Sequence, residues 1–230
     1  MITITGDSAP LPAREAYRLW APGYHVETAV SALERRAALD ATPDVIGRTL
    51  LDAGCGTGRR LHDVASARLC VGIDLVAEMI RAGAGERTAS AACAAADVRA
   101  LPLRDAAFDV VWCRLVLGHV PDPAPAYAEL ARVSAPGACL VMSDFHAAAA
   151  AAGHTRSFRD ARGVLHDVVH HVHDEARHVA AARSAGWRVR VRRDLVVGPE
   201  IRAFYADAGA LDRYEQQRGL PLVLLLVLER

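Results

Sequence analysis

The stretch Leu50-Leu51-Asp52-Ala53-Gly54-Cys55-Gly56-Thr57-Gly58 decides the fold of this chain. The apolar run from Thr49 to Leu51 reads as a buried strand, and it ends in an acid. Glycines follow at alternate positions, and a helix-compatible segment begins at Arg59. That is a strand, a tight turn and a helix, with glycines that let a ligand approach the backbone closely. The spacing is G-x-G-x-G. A dinucleotide loop instead reads G-x-G-x-x-G and seats a pyrophosphate on a helix N-terminus. Asp52 would repel a pyrophosphate and suits an ammonium group.

Outward from this loop, strands and helices alternate. The pattern predicts strands over Thr49–Asp52, Leu69–Asp74, Ala89–Ala96, Phe108–Cys113 and Ala138–Asp144. Helices are expected over Arg59–Ala67, Ala77–Ala84 and Pro123–Val133. Alternation of this kind implies a parallel sheet with helices on both faces, an α/β doubly wound fold. Before it, residues 1–12 read as a loose tail. Residues 13–41 read as helical, broken at Pro22-Gly23, with a second helix from Val26 to Leu39. After Phe145 the pattern loosens into an alanine run (147–152) and a His/Arg-rich stretch (153–172). A helix over Asp174–Ala185, a strand over Arg188–Val197, a short helix near Glu200–Ala208 and a strand over Pro221–Glu229 close the chain. The division expected is a tail and helical lid (1–41) followed by one domain (42–230), in which 146–173 caps the substrate.

Composition bounds the function. The chain has 230 residues, 52% of them apolar, and a net charge of zero. That length suits one α/β domain, and the charge balance argues against a nucleic-acid partner. The five arginines between Arg183 and Arg193 interleave with Trp187, Val189 and Val191, which fits a half-exposed strand. No apolar run reaches the ~18 residues of a membrane span, and the N-terminus lacks a signal pattern. The five cysteines are far apart and form no C-x-x-C, as expected of reduced thiols in a cytoplasmic protein.

Asp52, Asp74 and Asp97 end three consecutive strands. In an open parallel sheet such ends meet at one edge, where ligands bind. Asp74 lies where a carboxylate accepts from both hydroxyls of a ribose, and Asp97 where one accepts from an adenine amine. Helix caps or turns are the plainer account of any one of these acids. Together with the loop they point to a cationic, amino-acid-bearing nucleoside, S-adenosylmethionine, although the loop alone leaves a dinucleotide open.

The segments LDAGCGTGR (50–59), VGIDLVAEMI (71–80), ADVRALPL (96–103), FDVVWCRLVLGHV (108–120) and ELARVSAPGACLVMSDFH (129–146), with the closing strand pair, resemble the class I S-adenosylmethionine-dependent methyltransferases. The subgroup is similar to the ubiquinone/menaquinone C-methyltransferases and malonyl-carrier-protein O-methyltransferases. His25 stands where an aspartate is usual there, and Ala138 where a second glycine follows Pro-Gly. The resemblance implies a Rossmann-like seven-stranded sheet of order 3-2-1-4-5-7-6 with strand 7 antiparallel. It implies that Gly54, Cys55, Gly56 and Gly58 cradle the methionine part, with Asp52 beside them. Asp74 and Leu75 would hold the ribose, Asp97 and Val98 the adenine, and the Arg114 carbonyl the amino group. Tyr17 and Tyr24 would form the lid.

A sulfonium is already activated, so transfer needs positioning and desolvation, and a base only if the nucleophile arrives protonated. His119 and His146 follow strands four and five and are the candidates for base, substrate contact or orientation; Asp144 could hold a substrate amine or orient a histidine. The cluster His166…His170-His171-Val172-His173 would put His166 and His170 on one helix face, or His171 and His173 on one strand face. A pocket wall, a solvated insertion and a metal site all stay open for it, although the resemblance implies no metal. Arg156, Arg159 and Arg162 suit one exposed helix face or an anionic substrate. The function expected is methyl transfer to O, N or C of a small-molecule or carrier-bound metabolite by a monomer or homodimer. The alternatives are a noncatalytic S-adenosylmethionine-binding subunit and a nucleotide-dependent oxidoreductase.

Overall fold

The computed structural model describes residues 9–85 and 91–230. The strands are β1 (Thr49–Ala53), β2 (Leu69–Asp74), β3 (Ala91–Ala95), β4 (Phe108–Arg114), β5 (Ser134–Phe145), β6 (Ser157–Arg159), β7 (Leu165–Asp167), β8 (Arg188–Val196) and β9 (Pro221–Glu229). Seven of them form one sheet of order β3-β2-β1-β4-β5-β9-β8, and β6 and β7 pair separately as a hairpin. The pairs from β3 through β5 are parallel, and β9 runs antiparallel to both β5 and β8. With the hairpin set aside, this is the order 3-2-1-4-5-7-6 with its antiparallel seventh strand.

The helices are α1 (Ala13–Trp20), α2 (Ala29–Ala41), α3 (Ala77–Ala82), α4 (Ala124–Val133), α5 (Ala147–Ala151), α6 (Glu175–Ser184), α7 (Arg202–Asp207) and α8 (Leu211–Gln217). The sheet buries both faces, which is why its central strands are apolar without interruption. Side chains alternate between two cores. Leu51, Val111, Cys113, Leu140, Met142 and Leu226 pack with Tyr127 and Leu130 of α4 and Ala182 of α6. Leu50, Val110, Trp112, Val141 and Leu225 pack with Ala38 of α2 and Tyr214 of α8. Period-two alternation thus fixes which residues face which helix layer. The strand ends come together at one sheet edge, under α1.

Several boundaries differ from the sequence reading. Residues 59–64 form a 3-10 turn in place of the expected helix over Arg59–Ala67. Three residues per turn put Leu61 and Val64 on one buried face, while Arg60 pairs with Glu27 at 3.0 Å. Helix α2 starts at Ala29 and not at Val26, because Thr28 caps it in a reciprocal pair with Ser31. Strand β5 begins four residues early at Ser134; Gly137, at φ +77°, carries it through Pro136-Gly137, where the register with β4 shifts. The stretch holding Arg156, Arg159 and Arg162 is no helix: β6 and β7 replace it, turning through Asp160–Gly163. Helix α8 had no counterpart in the sequence reading. Of the expected loose tail 1–12, residues 1–8 lie outside the described residues, as do 89–90 at the start of the expected third strand; Leu11 is not loose but bridges in parallel to Val168, its amide donating to the Asp167 carbonyl at 2.8 Å.

Candidate active site

The floor of the site is the loop after β1. Gly54 sits at φ +93°, and a Cβ there would lie 2.1 Å from Val116 Cγ2. Gly56, at φ +58°, donates its amide to Asp74 Oδ2 at 2.8 Å, and Val76 donates to Asp74 Oδ1 at 2.9 Å. The glycine loop therefore orients the carboxylate that ends β2. Burial raises the Asp74 pKa, and these two amides oppose the rise. Gly58, also left-handed, caps the 3-10 turn.

Asp52 is buried at 3% exposure. Burial pushes its carboxyl up to about 7, against the pull of the Arg114 charge. Arg114 makes a fork to Glu34 with both contacts at 2.8 Å, and both side chains are buried. Ser143 also donates to Glu34 Oε1, and the guanidinium lies 4.6 Å over the Trp112 ring. Arg114 Nη1 is buried with no hydrogen-bond partner among the described residues. The sequence reading used only the backbone of Arg114, but its side chain enters the site too. Arg99 forks onto Asp97 and holds its carboxyl below the usual range, so that acid is already engaged.

The roof comes from α1 and the residues after it. Tyr17, Trp20 and Tyr24 pack ring on ring, and Trp20 stacks on Phe158 of the hairpin at 5.0 Å. Arg156 Nη2 donates to the Tyr17 hydroxyl at 2.9 Å. That hydroxyl also lies in hydrogen-bond contact with His119 Nε2 at 2.9 Å. Burial, with the Arg156 charge second, lowers the His119 pKa to about 3, so this ring is neutral at pH 7.

Tyr17, Tyr24, Asp52, Gly54, Cys55, Gly56, Asp74, Leu75, Asp97, Val98, Arg114 and His119 all line one cavity of about 180 Å³. His146 is the exception among the candidates. Its Nδ1 accepts from the Ala148 amide as the cap of α5, and its Nε2 meets Asp194 at 3.2 Å. The cap uses Nδ1, and the side chain does not line the cavity.

The histidine cluster disperses, because its backbone is not helical. His166 binds Asp160 in the hairpin at 3.1 Å. His173 Nε2 meets the Val120 carbonyl at 2.9 Å. His170 reaches toward buried Asp144 (3.9 Å) and packs against the His119 ring; His178 Nε2, from α6, lies 3.3 Å from Asp144 Oδ2. Gly118 makes room for this, since a Cβ there would lie 2.1 Å from His170 Nε2. Among the described residues no group of three or more His, Cys, Asp or Glu side chains is placed to hold a metal ion.

Sequence reasoning missed Glu34 and gave Arg156 no distinct place. Glu34 left a signal: a carboxylate four residues before Ala38 on the buried stripe of α2. Arg156 left none that separates it from Arg159 and Arg162.

Residues 51–142 match the methyltransferase domain family. The chain is similar to a demethylmenaquinone methyltransferase of Renibacterium salmoninarum, 35% identical over 131 residues, which is 54% of this chain and 55% of that one. It spans about half the length of that curated relative. Its fold is that of an S-adenosylmethionine-dependent methyltransferase from Mesorhizobium loti, with TM-score 0.69 at 22% identity over 88% of this chain and 100% of the other. A [4+2]-cyclase, SpnF, shares the fold equally well, with TM-score 0.69 at 19% identity over 98% of each chain.

Proposed function

We propose that this chain is an S-adenosylmethionine-dependent methyltransferase acting on a small-molecule or carrier-bound metabolite. The observation that carries this reading is a cavity lined by the glycine loop and the acids that end β1 and β2, beneath an aromatic roof. The residues present suit the cofactor. Asp52 is a desolvated carboxylate in want of a cation. Arg114 Nη1 is a buried donor in want of an acceptor. Gly54 and Gly56 keep side chains out of the space above the loop.

When bound, the cofactor supplies an electrophilic methyl carbon on a sulfonium. The protein's share is binding, orientation and exclusion of water. In this reading Asp52 receives the ammonium group, and Asp74, held by the Gly56 and Val76 amides, receives the ribose hydroxyls. Asp97 is held by Arg99, so Val98 and the local backbone face the adenine. Tyr17 and Tyr24, within the 1–41 lid, cover the site. His119 hydrogen-bonds to Tyr17 and orients it; a ring with so low a pKa is a poor base at neutral pH. His146 fastens α5 to β8 and takes no part in the chemistry.

We further propose a cytoplasmic location, no nucleic-acid or membrane partner, and a monomer or homodimer. The zero net charge supports this, as do thiols that form no disulfide among the described residues. No helix among those residues is long and apolar enough to cross a membrane. The cyclase that shares the fold favours a second reading, in which the cavity is kept without methyl transfer, because a fold does not fix a function. Calorimetry with S-adenosylhomocysteine and with NADH tests the main reading. Binding of S-adenosylhomocysteine is expected, and binding of NADH alone would overturn it. Methyl transfer from labelled cofactor then separates the two readings.

A further inference from the structure

Gly72, within β2, leaves a gap in which two cysteines meet. A Cβ there would lie 2.7 Å from Cys55 Sγ and 2.8 Å from Cys93 Sγ, so even a methyl group would come between the sulfurs. Cys93 pairs in register with Gly72 from the edge strand β3. Cys55 reaches over from the glycine loop after β1 and lines the cavity. The two thiols touch, and that contact, with burial after it, pushes the Cys55 thiol above its ordinary range. The other cysteines are placed differently. Cys70 donates to the Val64 carbonyl at 3.6 Å, Cys113 is buried in the core against α4, and Cys139 lies on β5.

The pair is built unequally. Cys55 is 6% exposed, whereas Cys93 is only half-buried. A small oxidant therefore meets Cys93 first, because exposure and thiolate character set cysteine reactivity. Cys55 then stands beside it to close the bond. Cys55 also sits between Gly54 and Gly56, both left-handed. Its thiol meets the Gly56 carbonyl at 3.7 Å, and the Gly56 amide is the one that orients Asp74. A disulfide needs its sulfurs about 2 Å apart, so closure draws Cys55 toward β3 and takes Gly56 with it.

We propose that Cys55 and Cys93 form a reversible disulfide that disables the cofactor seat in the presence of a small disulfide such as oxidised glutathione. The cofactor half of this rests on the methyltransferase reading above. The Cys93 thiolate attacks one sulfur of the small disulfide and expels the other half as a thiolate. Cys55 gives its proton to water, attacks the Cys93 sulfur of the mixed disulfide and expels the second half. Two electrons and two protons pass from the pair to the small disulfide, which becomes two thiols.

The test treats the full chain with oxidised glutathione and then with dithiothreitol. Peptide mapping by mass spectrometry and calorimetry with S-adenosylhomocysteine follow each step. A Cys55–Cys93 bond is expected, with affinity weakened about tenfold or more. Dithiothreitol should restore it, which separates a switch from irreversible damage. Cys93→Ser should bind S-adenosylhomocysteine within about twofold of the reduced native chain and lose the response to oxidised glutathione. No bond, a bond through Cys70 in place of Cys55, unchanged affinity in the oxidised chain, or a Cys93→Ser variant that still responds would each overturn the proposal. A reduced native chain that fails to bind S-adenosylhomocysteine would instead overturn the methyltransferase reading and the cofactor half with it, while the mapped bond stands or falls on its own.

Discussion

The floor and the roof of the cavity are held by different forces. The floor is backbone: parallel strands, left-handed glycines and the Gly56 and Val76 amides that fix Asp74. The roof is side chain: rings stacked on rings, and a hydroxyl that joins Arg156 to His119. Backbone geometry is shared by any chain of this fold, so the floor suits an invariant ligand. Side-chain contacts change with each substitution, so under the proposed function the roof is where one acceptor would be told from another.

The largest expected effect lies beneath the floor. Glu34→Ala strands the Arg114 charge inside the protein, and breaking a buried pair this way costs about 3–5 kcal/mol. Denaturant unfolding would show it; a loss below about 1 kcal/mol would mean that the pair does not support the floor. Next comes Asp74→Ala, which should cost the cofactor about 1.5–3 kcal/mol for each lost hydrogen bond to a charged group. An unchanged affinity would move the ribose elsewhere.

The pH dependence follows in size. Asp52 titrates at about 7 in the folded chain, against about 3.9 when unfolded. Its ionised form carries the burial penalty, so stability from this group is lost as pH rises from about 4 to about 7. A bound ammonium favours the ionised form. Cofactor affinity should therefore fall up to about tenfold per unit as pH drops below about 7, and level off above it. Asp52→Asn should flatten that profile; a flat profile in the native chain would exclude Asp52 as the ammonium's partner. The smallest effect belongs to the roof. Tyr17→Phe removes the bridging hydroxyl and should cost about 0.5–1.5 kcal/mol of stability per lost bond. A loss as large as that of Glu34→Ala would erase the contrast between the two regions.

The same contrast decides what was legible in the sequence. Gly54, Gly56, Gly58 and Asp74 act through short-range backbone geometry, and their spacing alone located the floor. Arg114 and Glu34 are 80 residues apart, His119 and Tyr17 102, and Arg156 and Tyr17 139. No local period encodes such pairs. Strands β6 and β7 have three residues each, too few to show alternation, so their His and Arg side chains read equally well as helix. His146 was placed correctly at the end of β5, but its role as the cap of α5, with its Nε2 on Asp194, turns on a backbone turn that its position does not reveal.

The central claim is that the glycine loop and Asp74 together seat S-adenosylmethionine. Titration of the native chain and of Asp74→Ala with S-adenosylhomocysteine, followed by calorimetry, tests it most directly. One site per native chain is predicted, weakened in the variant by about a hundredfold or more if both hydrogen bonds are lost. No binding by the native chain, or equal affinity in the two proteins, would contradict it.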